Sequence, residues 1–563
     1  MRRDPTAFHD TRFDLVIIGG GITGACLAHD ATLRGLSVAL VERDDFGGAT
    51  SAASSKLLHG GIRYLQQARI DKVRESARER ACFQEIAPHL TRWVPFLIPT
   101  QPGVLRGRRL LQSATWVYER LTRGEDTQLH DRAKKVPPGT FYSRVELARL
   151  VPALAARSDV TGAQVVYESH LHSSERMSLA FLKSAARGGA VLANYMTVDA
   201  VLRSKTGGVE GVIAVDGLTG DRVEIRSQIV ANAAGPWATG LNERLDSGRL
   251  EEPIRGFSKG AHIVTRRAVE TFALALPTAR RASTLLDRGG RHVFVIPWRG
   301  HSLIGTSDRP YDGALDEVGP TETDITDLLD DVAAALPSLG LTRSDVTHAF
   351  AGLYPLTVRD LRPNVYQGTG DYQIVDHSRE TGGAGVVTVL GAKYTTARRL
   401  AERATTLICD RLGRGEIPCR TRRTPLVGGD IDDLDRFTKD AVSRYAEVLD
   451  LHTVEHLVHH YGTEIDSIIA VAAIADGKTS PLMPLTSTRE SIGAEVRFAV
   501  EDEMAVALSD VVFRRTGLGT LGNPGTACLR QCAEIMATCL GWDDTRVSEE
   551  IRRTQALFFV SES

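Results

Sequence analysis

An apolar run from Leu15 to Ile18 stops at Gly19-Gly20-Gly21-Ile22-Thr23-Gly24, a helix-compatible stretch follows, and a second apolar run, Val38 to Val41, ends on Glu42. Strand, glycine turn, helix, strand and acid in that order, within about 30 residues, define a β-α-β nucleotide-binding unit. Each position has a physical task. Gly19 permits the tight turn, Gly21 lets backbone approach a pyrophosphate, and Gly24 lets helix and strand pack closely. The helix N-terminus offers free N–H groups and about half a positive charge to that pyrophosphate. Glu42 can accept hydrogen bonds from ribose hydroxyls and would repel a 2′-phosphate, which points to FAD or NAD rather than NADP.

At 563 residues the chain exceeds the size at which a single core stops growing, so more than one domain is expected. Its net charge of −2 gives no bulk reason to bind nucleic acid, and any anion site must be built locally. The seven cysteines form no CxxC pair and no thiol metal cluster, which suits a reducing cytoplasm, and no metal ligands are assigned. The N-terminal stretch lacks the apolar segment of ~7–15 residues of a secretory signal. No run reaches the ~20 apolar residues of a membrane span. Residues 71–90, 105–123 and 322–337 read as helices. Strand-like alternation falls near 163–167, 191–203, 209–214 and 222–230, and a strand-rich block covers 255–305. At Val386 to Leu390 a strand again meets a glycine, Gly391, and a helix. Beyond about 420 the patterns are helical, including one continuous stretch from Ala494 to Thr516.

The continuation Thr50-Ser51-Ala52-Ala53-Ser54-Ser55-Lys56-Leu57-Leu58-His59-Gly60-Gly61-Ile62-Arg63-Tyr64 resembles the FAD-dependent glycerol-3-phosphate dehydrogenase family nearly residue for residue. The resemblance recurs at Asn232-Ala233-Ala234-Gly235-Pro236-Trp237, Lys259-Gly260-Ala261-His262, Ile304-Gly305-Thr306-Ser307-Asp308 and Gly391-Ala392-Lys393-Tyr394-Thr395-Thr396, and extends into the helical tail at Arg514-Arg515-Thr516. It implies an α/β fold: a Rossmann-type FAD domain assembled from separated segments of residues 1–420, an interleaved β-sheet substrate domain (about 85–190 and 245–350), and a C-terminal α-helical domain over 421–563. FAD is the implied cofactor, with Gly19, Gly21, Gly24, Glu42, Thr50, Ser54, Ser55, Lys56, Gly235 and Gly391 as its contacts.

The implied chemistry is hydride transfer from glycerol 3-phosphate to flavin N5, with electrons passed to a quinone. By resemblance Arg63 clamps the phosphate, Tyr64 donates a hydrogen bond, and His59 or His262 is the general base, since an imidazole titrates near neutrality. Lys393 holds the reacting hydroxyl or polarises the flavin edge. Thr306 and Asp308 support the site, and Arg291 is a further candidate anion contact. The family's G-x-R-P-L arginine is Tyr354 here, in Gly352-Leu353-Tyr354-Pro355-Leu356. A charged hydrogen bond is worth ~1.5–3 kcal/mol, so phosphate binding should weaken unless Arg359 or Arg362 turns inward, or the substrate is another polyol phosphate such as erythritol phosphate. An oxygen-using oxidase shares these motifs, and a flavin-binding sensor is the non-enzymatic alternative. A second departure, Tyr167-Glu168-Ser169-His170 and Ser173-Ser174-Glu175-Arg176, replaces family aspartates while leaving serines able to cap a helix. His170 and His172 have no assigned role. Five arginines interleaved with Trp116, Val117 and Tyr118 between Val104 and Arg123 read either as a partly exposed helix packed on the domain or as an interfacial helix. The expected setting is cytoplasmic, with peripheral contact on the inner membrane face as the option the interfacial reading adds, and a homo-oligomer is expected.

Overall fold

The computed structural model describes residues 1–103, 107–205, 207–245, 254–277, 292–356, 371–379, 385–473 and 482–559. The apolar run beginning at Leu15 lies in the strand Arg12–Ile18, in which Leu15, Val16 and Ile17 are fully buried. It sits in an eight-stranded sheet, paired in parallel with Val38–Val41 on one side and Arg222–Asn232 on the other. Parallel strands covered on both faces read as unbroken apolar runs, as Leu15–Ile18 and Val38–Val41 do, whereas Arg222–Asn232 alternates through its first half, where it pairs antiparallel with Val209–Asp216, and is continuously buried only from Ile229. Val386–Leu390 adds to Arg222–Asn232 in parallel and Val191–Ala193 to Val38–Val41. The helices Ile22–Leu33, Ser174–Arg187 and Ala397–Arg411 pack on one another over this sheet and form one core with it.

A second, ten-stranded sheet interleaves with the first along the chain. Its longest antiparallel pairs are Thr91–Thr100 with Gly162–Leu171 and Gly256–Thr265 with Val346–Leu356. The two-residue strand Leu57–Leu58 pairs with His170 and Ser169 at its edge. The segment that leaves the nucleotide turn is thus captured by the second sheet, and His59 and Gly60 lie where the two sheets meet.

Beyond residue 430 the described residues are helical. The expected helix from Ala494 to Thr516 is interrupted: Gly493–Glu503 ends at Met504 in the left-handed region (φ 56°), and a π-helix, Asp510–Arg515, follows. The break has a visible cause in Asp510, whose carboxylate accepts the backbone N–H groups of Val506 and Ala507 and turns the chain. It also aims Arg514 and Arg515 at Asp45, beside the nucleotide-binding unit.

Candidate active site

Two glycines of the turn are fixed by contact. A Cβ on Gly24 would lie 1.9 Å from the Gly19 carbonyl oxygen, and Gly19, at φ +110°, would place one 2.7 Å from the Ala233 carbonyl oxygen. No side chain can stand between the strand and the helix start. Gly21 caps Ile22–Leu33 without a side-chain bond of its own; the Ser51 hydroxyl, 2.9 Å away, accepts the Ile22 N–H. Glu42 accepts the Gly20 N–H at 2.6 Å and the Asp44 N–H at 2.9 Å. Gly391 brings the second glycine turn against the first, a Cβ there falling 2.7 Å from Thr23 Oγ1. Gly235 opens the short turn after Asn232 at φ +56°. This cradle, a bare turn and helix start with an acid beside it, suits a dinucleotide pyrophosphate.

The neighbouring loop carries the reactive groups. The His59 N–H donates to Thr395 Oγ1 at 3.1 Å, tying the His59-Gly60-Gly61 loop to the Lys393-Tyr394-Thr395 loop 336 residues away. The Gly60 N–H donates to Glu168 at 2.6 Å, and Arg80, itself buried, reaches the same carboxylate. Gly60 has no room for a side chain, since a Cβ would meet Tyr118 at 1.9 Å and Arg80 at 2.1 Å. The Lys393 ammonium lies 3.7 Å from the centre of the Tyr64 ring. Enclosure in the cleft, then the Arg63 guanidinium, push Lys393 down to about 7. Enclosure and then the cations Lys393, Arg63 and Arg80 push His59 down to about 4. Because 44% of the His59 side chain still faces the cleft, the cations are the stronger reason for it to stay neutral.

His262 occupies a separate, deeper position. Its Nε2 shares a 2.9 Å hydrogen bond with the Ser55 hydroxyl, and its ring stacks on Phe350 at 5.2 Å. Burial, then Lys56, push it down to about 3. Gly305 makes the space, because a Cβ there would lie 2.3 Å from the His262 ring. Phe294 pairs with Gly305 in the sheet and brings its ring to 6.3 Å from His59, linking the two histidines across two neighbouring strands.

The expected residues therefore divide. His59, Arg63, Tyr64 and Lys393 come together in one cluster, while buried His262 and half-buried Ser55 form a hydrogen-bonded pair. Thr50 donates to the Leu353 carbonyl at 3.0 Å, and a Cβ on Gly352 would meet Ala53 at 2.8 Å, so the segment carrying Tyr354 runs along the 50–53 loop. Ser54 accepts the Lys56 N–H. The Lys56 side chain is engaged within the protein: its ammonium is buried and bonded to Glu175 at 2.7 and 2.9 Å, to Ser174 and to the Ala52 carbonyl. Ser173 caps Ser174–Arg187, as the serine-for-aspartate exchange allows. Arg291, Arg359 and Arg362 lie outside the described residues. Ser51, Glu168 and Arg80 were passed over in the sequence. Ser51 stood inside the quoted motif, whereas the pairing of Glu168 with Arg80 joins positions 88 residues apart and leaves no local signal.

Residues 14–399 match the FAD dependent oxidoreductase family, and residues 419–547 match the C-terminal domain of alpha-glycerophosphate oxidase. The chain is 31% identical to a glycerol-3-phosphate dehydrogenase of Synechocystis over 98% of its own length and 97% of the relative's. It is 32% identical to glycerol-3-phosphate dehydrogenase 2 of Mycobacterium tuberculosis, over 97% and 88%. The crystal structure of a Bacillus halodurans glycerol-3-phosphate dehydrogenase complexed with FAD superposes with a TM-score of 0.75 at 26% identity, covering 99% of this chain and 98% of that one.

Proposed function

The chain belongs to the FAD-dependent oxidoreductases and, within them, to the glycerol-3-phosphate dehydrogenase family, and on that premise we propose that it oxidises glycerol 3-phosphate to dihydroxyacetone phosphate and delivers the electrons to a quinone. The supporting observation is the meeting of Lys393, Tyr64, Arg63 and His59 beside the dinucleotide cradle. When bound, FAD supplies the hydride acceptor at N5. Gly19, Gly24, Ser51 and Glu42 shape its seat, and the remaining work falls on the chain.

Oxidation of a secondary alcohol requires the hydroxyl proton to leave as the hydride does. Lys393 is the group suited to take it at Nζ, because an amine titrating at about 7 is both available as free base and strong enough to accept a proton at neutral pH. His59 and His262, held down at about 4 and about 3, are free imidazoles at that pH but weak proton acceptors, so they serve as hydrogen-bonding partners rather than as the base. This moves the acid–base role from the histidines to the lysine. Arg63 offers a forked guanidinium to the substrate phosphate, and the Tyr64 ring holds the Lys393 ammonium in place.

Anaerobic titration of the FAD-loaded enzyme tests the reading. Glycerol 3-phosphate should bleach the flavin absorbance and unphosphorylated glycerol should not. Bleaching by erythritol 4-phosphate but not by glycerol 3-phosphate would overturn the substrate while retaining the reaction class. Reoxidation by a soluble quinone analogue, faster than hydrogen peroxide release in air, is the expected acceptor result.

A further inference from the structure

Outside this cleft, three histidines converge where the second sheet meets the helical domain. His172 directly follows the strand Gly162–Leu171, and His456 and His460 stand one turn apart on the helix Leu451–Tyr461. One ring nitrogen from each lies within 4.8 Å of the others. The rings crowd together, His456 to His460 at 4.1 Å and His172 to His460 at 4.7 Å between centres. His460 is 1% exposed, and neither of its ring nitrogens, nor Nε2 of His172, has a hydrogen-bond partner among the described residues. Buried imidazoles ordinarily satisfy their nitrogens, so this cluster lacks something to bind.

We propose that His172, His456 and His460 form a binding site for a divalent transition-metal cation of the zinc class, which clips the helix Leu451–Tyr461 to the end of the strand Gly162–Leu171. Imidazole ligands suit zinc, and an i, i+4 histidine pair on one helix presents two ligands on one face. Tetrahedral zinc holds its nitrogen ligands about 3.3 Å apart at Zn–N distances of about 2.0–2.1 Å, so small side-chain rotations close the set. A supporting carboxylate is in place: Glu495 lies 3.0 Å from His456 Nε2 and also accepts the Tyr461 hydroxyl, with Ser491 at 3.2 Å from the same nitrogen. With its Nε2–H given to Glu495, His456 keeps a lone pair on Nδ1, the carboxylate–histidine–metal arrangement that fixes a ligand's tautomer. Of the three arginines around the cluster, Arg299 is paired with Glu490 at 3.2 Å and Arg176 with Glu503 at 2.7 Å, and Arg92 donates to the Pro297 carbonyl oxygen. His459, stacked on His172 at 5.6 Å, points its Nδ1 at the His89 carbonyl oxygen and is not a ligand.

The test uses the FAD-loaded full-length enzyme, stripped with chelator and checked for retained flavin. Titrated Co²⁺ should bind at one equivalent per chain with ligand-field bands beyond the flavin absorbance, be displaced by Zn²⁺, and raise the thermal midpoint. His460→Ala should lose at least tenfold in Zn²⁺ affinity, and His172→Gln likewise, whereas His459→Ala should retain it. Wild-type enzyme that binds no stoichiometric Co²⁺ or Zn²⁺ overturns the site without recourse to any variant. Equal affinity in wild type, His460→Ala and His172→Gln also overturns it, by placing the metal elsewhere.

Discussion

Lys393 concentrates the chemistry at the residue scale, because its position sets its proton affinity. Removing an ammonium from water disfavours the charged form, and Arg63 nearby adds to that, so the group titrates at about 7 rather than 10.5. The active form is the free amine, so kcat/KM should rise with pH through about 7 and then level. Lys393→Met should lose this limb and cost on the order of 10²–10⁴-fold in kcat/KM. A profile that stays flat from pH 6 to 8 in the wild type would remove the lysine from the role. Tyr354 poses a second residue-scale question, since it stands where the family carries an arginine. Tyr354→Arg should lower the KM for glycerol 3-phosphate by roughly ten- to a hundredfold, the equivalent of one charged hydrogen bond; an unchanged KM would show that phosphate is held elsewhere. At Gly24, a methyl group meets the Gly19 carbonyl oxygen at 1.9 Å and cannot be absorbed without moving backbone. Gly24→Ala should weaken FAD binding at least about tenfold, some 1.4 kcal/mol, measurable by flavin fluorescence on reconstitution.

The helix Arg108–Thr122 presents its own problem at the scale of an element. Trp116 is 65% exposed, and Leu110 and Val117 are exposed as well, on a helix that also shows Arg108, Arg109 and Arg120 to solvent. Aromatic and aliphatic groups beside arginines match the interface of an anionic bilayer. If the electron acceptor is a membrane quinone, changing Arg108 and Arg109 together to Glu should reduce co-sedimentation with anionic liposomes and leave flavin reduction by substrate intact; undiminished sedimentation would discard this contact. Elements also show what could be read from sequence. The β-α-β unit was legible because strand, turn, helix and acid are consecutive, and so were the helices at Ile70–Ile86 and Glu322–Ala335. Capture of Leu57–Leu58 by Ser169 and His170 was not, because a two-residue strand has no periodicity and its partner is over a hundred residues distant. The same holds for Glu168 under Gly60. The break at Met504 escaped notice because an apolar pattern continues across it, and the stop comes from Asp510 folding back onto backbone N–H groups. The ion pair of Lys56 leaves no local signal for a related reason: its motif is local, but its partner Glu175 lies 119 residues on.

At the scale of the whole molecule, buried charge joins the nucleotide-binding unit to the helical domain. Asp45, three residues past Glu42, meets both Arg514 and Arg515, and Glu503 receives Arg176 and Lys183. Burial alone would raise both carboxyls, but the arginines, joined at Glu503 by Lys183, outweigh it and hold Asp45 well below the carboxylate range and Glu503 at about 2. Since both folded values are depressed, their stabilisation is complete above the ordinary carboxyl values of 3.8 and 4.5 and is lost as pH falls through and below them. Asp45→Asn leaves Arg515 buried without its carboxylate, a change that costs about 3–5 kcal/mol when one partner of a buried pair is removed. Because Asp45 lies in the loop that follows Glu42, the loss should reach the cofactor, and FAD release and helical-domain unfolding should move together to lower denaturant concentration at pH 7. The stability gap between wild type and Asp45→Asn should then narrow by about 1.4 kcal/mol per pH unit below the unfolded carboxyl value. Denaturant titrations at pH 7, 4 and 3, followed by flavin fluorescence and far-UV circular dichroism, measure that gap. A gap that stays constant to pH 3 would mean that Asp45 holds the two domains together by shape rather than by charge.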